Sequence, residues 1–272
     1  MERKLIDTSY GDVSIHESKG KEANVLFLHG NSLSMTSFSY QLDSKLASKY
    51  NFIAIDLPGH GESEKALSPE ECYSFSGYQK VILEIIEKLG LSHLLIVGHS
   101  LGGHLAVELL NKTDILKGIV IFGTPPLKFP PDLEHAYLPS PASTLSLKPD
   151  LNQDEIMLFC RSLLKNETKI PEFIINDVKN TDQNARAFLG ANIIKGDLAD
   201  EINLISKSSI PIGILHGRDD QLINLNYIKT IDIPELWGQK VQIVPNAGHT
   251  IQYEQPTIFN KLLAEFLELC FD

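Results

Sequence analysis

Short apolar runs alternating with longer stretches of helical period constrain this 272-residue chain more than any other feature. Val25–Leu28, Phe52–Ile55, Leu94–Val97, Ile119–Phe122, Ile212–Leu215 and Val241–Val244 are such runs, each bounded by Gly, His, Asp or Pro. Strands of a parallel sheet covered on both faces have this pattern. Tyr78–Leu89 carries apolar side chains at Val81, Ile82, Ile85, Ile86 and Leu89, the stripe of a helix lying on a sheet, and Phe259–Phe271 does the same. The residues through Glu17 read as an antiparallel hairpin turning at Tyr10-Gly11-Asp12. The predicted class is α/β, a mostly parallel sheet flanked by helices.

Between Thr124 and about Ser208 the alternation stops. Pro125, Pro126, Pro130, Pro131, Pro139 and Pro141 punctuate a loop, and helices are expected over Asp154–Leu164, Glu172–Lys179 and Asp182–Lys195. A helical insertion between two parallel strands sits over their carboxyl ends, because the connection leaves from that edge. The expected organisation is a core of residues 1–124 and 209–272 with a helical cap of residues 125–208.

Charge and cysteine content narrow the function classes. Lys and Arg number 24 against 35 Asp and Glu, a net charge of −11, which excludes an electrostatic nucleic-acid binder. Cys72, Cys160 and Cys270 are scattered without C-x-x-C spacing, as suits reduced thiols in a cytoplasm. The start, Met1-Glu-Arg-Lys-Leu-Ile-Asp, lacks the apolar stretch of an export signal, and no apolar run approaches the roughly 20 residues of a membrane span. A soluble cytoplasmic protein without a membrane partner is expected. The nine histidines form no H-x-H or H-E-x-x-H cluster, and no G-x-G-x-x-G or Walker sequence appears, so neither a metal nor a cofactor is expected.

Gly98-His99-Ser100-Leu101-Gly102 follows one strand run and precedes the helical run Leu105–Leu110. This is a G-x-S-x-G nucleophile elbow in the required strand-turn-helix context, and its glycines clear the sharp turn. A serine hydroxyl is a poor nucleophile unless a base takes its proton and a carboxylate orients that base. His249, in Asn246-Ala-Gly-His249 after the last strand run, is the expected base. Asp219 and Asp220 follow Ile212–Leu215 through His216-Gly217-Arg218, and Asp220 is the expected acid. Asp219 reads as a loop-stabilising carboxylate with Arg218 as its candidate partner. The oxyanion needs two backbone N–H donors: Leu101, after the nucleophile, and Asn31 in His29-Gly30-Asn31-Ser32, with Ser32 as second choice. Ser32, His99 and Phe159 are candidate substrate contacts. His29 and the loop Asp56–Ser63, which contains His60, read as architectural.

H-G-N-S (His29–Ser32), D-L-P-G-H-G-E-S (Asp56–Ser63), G-H-S-L-G-G-H (Gly98–His104), H-G-R-D-D (His216–Asp220) and N-A-G-H (Asn246–His249) stand in the order of the α/β-hydrolase superfamily, which the chain resembles over nearly its whole length. Through H-G-N-S, S-L-G-G-H, G-T-P-P (Gly123–Pro126), G-R-D and N-A-G-H it is most similar to the metal-free N-acyl-homoserine lactonases on that fold. The resemblance implies a nucleophile at Ser100, a base at His249, a first oxyanion donor at Asn31 and an acid at Asp220, in a place that Glu can also fill. The lactonase cap offers a tyrosine hydroxyl near the substrate amide, and Phe159, which cannot donate, stands there.

Together these readings predict a serine hydrolase of small carboxylic esters or lactones, and the resemblance implies acyl-homoserine lactones among them. The apolar cap residues Leu133, Leu138, Leu145, Leu147, Phe159, Leu163, Phe173 and Phe188 could wall an acyl chain. The same triad would serve a C–C bond hydrolase, a thioesterase, or a ligand-binding receptor with slow hydrolysis. Epoxide hydrolases and dehalogenases of the fold need a carboxylate where Ser100 stands.

Overall fold

The computed structural model describes residues 2–271, so Met1 and Asp272, the outer ends of the expected core, lie outside the described residues. Among the described residues one sheet forms from β1 (Glu2–Thr8), β2 (Gly11–Glu17), β3 (Asn24–Leu28), β4 (Asn51–Ile55), β5 (Leu94–His99), β6 (Leu116–Phe122), β7 (Ile212–Gly217) and β8 (Gln242–Val244). Their spatial order is β1-β2-β4-β3-β5-β6-β7-β8. β1 and β2 form the expected hairpin, β2 pairs antiparallel with β4, and every other neighbouring pair is parallel. This is the expected α/β-hydrolase architecture.

Period-two alternation distributes the strand side chains between two cores. Val25, Phe27, Phe52, Ala54, Leu95, Val97, Val120 and Phe122 enter one; Leu26, Leu28, Ile53, Ile55, Ile96, Ile119 and Ile121 enter the other. On the second face lie α1 (Phe75–Lys88) and α2 (Leu101–Glu108), through Tyr78, Val81, Ile82, Leu105 and Ala106. Fully burying a side chain the size of Val81, Ile82 or Leu105 contributes roughly 1.5–3 kcal/mol. α1 begins before the expected Tyr78 because Ser74 Oγ accepts the Gly77 N–H at 2.9 Å, an N-cap that apolar periodicity does not reveal.

Between β6 and β7 come α3 (Gln153–Ser162), α4 (Glu172–Asn180), α5 (Gln183–Ile194) and α6 (Glu201–Ser206). α3 and α4 enclose an apolar core of their own with Ile156, Phe159, Cys160, Ile174 and Val178, which Leu33 joins from the loop after β3. Ala185 and Leu189 of α5 and Ile205 of α6 instead enter the sheet core that contains Leu105. α7 (Pro256–Phe271) closes the first face with Phe259, Leu263, Phe266 and Leu267.

Because β3, β5, β6, β7 and β8 are parallel, their carboxyl ends share one edge, where ligands bind in open α/β sheets. β5 and β7 run past the expected ends to His99 and Gly217, with His99 in register with Phe122. β8 is shorter than its apolar run. The three cysteines are free, and burial pushes each thiol up to about 12.

Candidate active site

Sterics place Ser100. A Cβ at Gly98 would lie 2.3 Å from the Gly102 carbonyl oxygen, and one at Gly102 would lie 2.2 Å from that of Leu28. Only glycine lets strand, turn and helix approach this closely. Ser100 itself sits at φ 51°, ψ −114°, outside the regions favoured by L-residues, a strain of about 1–3 kcal/mol that the surrounding sheet must hold. The Ser100 N–H donates to the Phe122 carbonyl at 2.9 Å, and Thr124 Oγ1 donates to the Ser100 carbonyl at 3.0 Å.

The N–H groups of Leu101, at the start of α2, and of Asn31 donate to no protein acceptor among the described residues. They are the two donors expected for an oxyanion. The Asn31 side chain is committed elsewhere, donating through Nδ2 to the Ser146 carbonyl at 2.6 Å. Ser32 adopts φ 60° and is fully buried, and its hydroxyl donates to Asn31 Oδ1 at 3.3 Å. It does not reach the cavity that Ser100 lines.

Asp220 and His249 are brought together. His249 Nδ1 donates to Asp220 Oδ2 at 2.9 Å, and Asp220 Oδ1 accepts the Leu222 and Ile223 N–H groups at 2.8 and 3.2 Å. Burial alone would push the Asp220 carboxyl up. The charge and hydrogen bond of His249, with His216 and the Leu222 amide, outweigh it and hold the group below the ordinary carboxylate range. Asp219 is tied only by its backbone, donating to the Ala247 carbonyl at 2.9 Å, and the pairing expected with Arg218 does not form.

His249 Nε2 has no protein partner among the described residues, and no hydrogen bond joins it to Ser100 Oγ; both residues line one cavity. Catalytic hydrogen bonds commonly tighten only as substrate binds.

That cavity measures about 730 Å³, within the range of small-molecule sites. Gly30, Asn31, Ser100, Leu101 and His249 line it from the strand ends; Leu133, Leu138, Leu147, Phe159 and Leu163 line it from the insertion. Leu145, Phe173 and Phe188 do not: Leu145 lies in the insertion's core, Phe173 packs edge-on against Tyr253, and Phe188 packs on the sheet core. A second cavity, of about 810 Å³ and lined by Asp56 and Asp177 among others, contains none of the proposed site residues.

His99 touches the cavity, yet it is fully buried, stacks on Phe122 at 4.9 Å and donates through Nε2 to the His249 carbonyl at 3.1 Å. Its contact is with the loop that carries His249. His29 donates through Nδ1 to the Gly30 carbonyl at 2.8 Å and accepts the Leu57 N–H at Nε2. Burial, aided by neighbouring His60, lowers its pKa to about 3. His60 is likewise lowered by burial, to about 4, and holds the Pro58 carbonyl. Both are neutral loop braces. Among the described residues no three His, Cys, Asp or Glu side chains form a metal-ligating group, and no helix is long and apolar enough to cross a membrane.

Sequence reasoning passed over the junction that fixes the base loop. Thr250 donates through N and Oγ1 to the Leu163 carbonyl, Gln221 Nε2 donates to the Leu164 carbonyl, and Glu254 accepts the Lys165 and Gly248 N–H groups. Acid loop, base loop and insertion meet there. It also passed over His104, Glu201 and Tyr137. His104 was visible in the motif; its partners come from distant stretches without any periodic signal.

A family model described as the alpha/beta hydrolase family matches residues 25–262. The AB hydrolase superfamily protein YisY of Bacillus subtilis (strain 168) is 25% identical over 268 residues, covering 92% of this chain and 93% of its own. A 2-hydroxy-6-oxononadienedioate/2-hydroxy-6-oxononatrienedioate hydrolase of Pseudomonas sp is 23% identical, covering 97% and 96%. Among solved structures, the N-acyl homoserine lactonase AidH, complexed with N-butanoyl homoserine, superposes with a TM-score of 0.94 at 29% identity, covering 99% of this chain and 97% of that one.

Proposed function

The chain belongs to the alpha/beta hydrolase family, and on that premise we propose that it hydrolyses carboxylic esters or lactones through Ser100, His249 and Asp220. One observation carries the reading: a strained Ser100 shares a cavity with a histidine whose Nδ1 is held by a buried carboxylate. Asp220 keeps the His249 proton on Nδ1, so Nε2 is the nitrogen that accepts.

Ser100 Oγ attacks the carbonyl carbon as His249 takes its proton. The oxygen that gains charge lies against the N–H groups of Leu101 and Asn31, each such donor being worth roughly 3–4 kcal/mol in the transition state. Collapse expels the alcohol with a proton from His249. Water, deprotonated by the same nitrogen, then releases the acid and restores Ser100. With a lactone the expelled alcohol stays tethered at high effective concentration, so water must be held well to outcompete ring closure.

The apolar wall supplied by Leu133, Leu147, Phe159 and Leu163 suits an acyl chain, and the likeness to AidH makes acyl-homoserine lactones the first lactones to try. The test is turnover of short p-nitrophenyl esters and of acyl-homoserine lactones. Wild type should release acid and Ser100→Ala should not. Saturable binding without turnover would favour a receptor and overturn the reading.

A further inference from the structure

A second histidine–carboxylate pair reaches the same cavity and takes no part in the steps above. His104 follows Ser100 by about one helical turn on α2 and is buried. Its Nδ1 lies 2.8 and 3.0 Å from the two carboxylate oxygens of Glu201, a fully buried residue that also accepts the Leu127 N–H at 2.7 Å. Its Nε2 lies 3.3 Å from the Tyr137 hydroxyl, and both His104 and Tyr137 line the cavity.

An ionised carboxylate only accepts, so Glu201 fixes a proton on His104 Nδ1 and leaves Nε2 to the phenol. Tyr137 is set in turn by the loop that carries the acid. It bridges to Ile223, and the Leu138 N–H donates to the Leu222 carbonyl at 2.8 Å. Leu222 and Ile223 are the residues whose amides hold Asp220. Burial keeps the phenol protonated by raising its pKa.

Away from Ser100 and His249, few other polar side chains on the wall are free to serve. His99 donates through Nε2 to the His249 carbonyl and its Nδ1 is sealed from solvent, Ser140 Oγ accepts the Ala142 N–H, and Glu134, Ser143 and Thr144 are exposed. An amide or hydroxyl carried into this apolar space without a partner would lose its water at a cost of roughly 1–3 kcal/mol. The phenol's one O–H is donated to His104 Nε2, and its oxygen still accepts, so it can take the N–H of an amide or the O–H of a hydroxyl while engaged with His104.

We propose that the Tyr137 hydroxyl, positioned by His104 and Glu201, is a specificity contact for an amide or hydroxyl carried on the substrate's chain away from the reacting carbonyl. The proposal rests on the ester and lactone reading given above.

The test measures kcat/KM for two p-nitrophenyl esters of equal chain length, one with an amide within the acyl chain and one all hydrocarbon. Wild type should favour the amide ester by about tenfold. Tyr137→Phe should bring the ratio to about one, and Glu201→Gln, which keeps the phenol but loosens its holder, should lower it about threefold. A loss of packing alone would slow both esters together and leave the ratio in place. A wild-type ratio of one, or an unchanged ratio in Tyr137→Phe, overturns the inference while leaving hydrolysis standing. Turnover of neither ester by the wild type overturns the hydrolase reading and this inference with it.

Discussion

Asp220–His249 and Glu201–His104 flank one cavity with nearly the same geometry, imidazole Nδ1 on a buried carboxylate at 2.9 and 2.8 Å. They differ in what holds them and in what is left over. The first pair stands on loops at the ends of β7 and β8, and its second ring nitrogen has no protein partner among the described residues. The second stands on two packed helices, α2 and α6, and its second nitrogen is engaged by Tyr137. A carboxylate on Nδ1 therefore does not by itself make a base; the base role proposed for His249 rests on its unengaged Nε2 and on the cavity it shares with the strained Ser100.

The two carboxylates should differ most when each is neutralised. Asp220→Asn should lower kcat about 10³–10⁴-fold by favouring the wrong tautomer of the base. Glu201→Gln should lower it by less than about tenfold on a plain ester, because only a neighbouring contact is disturbed. Steady-state rates on one p-nitrophenyl ester decide this, and equal losses would erase the distinction. Next in size, His99→Leu removes the donor to the His249 carbonyl and should lower kcat on the order of tenfold, about the worth of one buried hydrogen bond.

Two acids away from the first pair, the buried Asp56 and the partly buried Asp177, act on stability in the opposite sense. Burial raises Asp177 to about 7 and Asp56 to about 6, whereas Asp220 is lowered. The raised groups keep protons that the unfolded chain gives up near its ordinary value of 3.8. Their contribution is complete below that value and is lost as pH rises through about 6 to 7. Asp220 works oppositely, contributing above the ordinary range and losing its contribution as pH falls through its lowered pKa. Urea midpoints should therefore drop between about pH 5 and pH 8, and Asp177→Asn should remove on the order of 1 kcal/mol of that drop. The smallest effect belongs to Asp219→Asn, which should stay within about twofold of wild-type activity because that residue is held through its backbone alone.

How much of this was legible in the chain follows from where each signal resides. Strands buried on both faces write continuous apolar runs, so β3 to β7 could be read directly, and parallel order then dictated that the Ser100, Asp220 and His249 loops share an edge. The elbow was readable because its glycines answer local clashes. The start of α1 was not, since one Ser74 hydrogen bond sets it. Nor was the placement of Ser32, whose positive φ turns its hydroxyl into the protein rather than to the cavity wall. The Tyr137–His104–Glu201 chain was hidden for a different reason. Its members lie on three elements that pack together only after the insertion folds back on α2, and a lone buried glutamate carries no periodic mark.

Whether Ser100 is a nucleophile made reactive by His249 is decided most directly by treating the protein with a fluorophosphonate and mapping the adduct by peptide mass spectrometry. One phosphonate per chain is expected, on Ser100, forming at least about 10³-fold more slowly in His249→Gln, which removes the proposed base. No adduct, an adduct on another residue, or labelling of Ser100 at an unchanged rate without His249 would contradict that role.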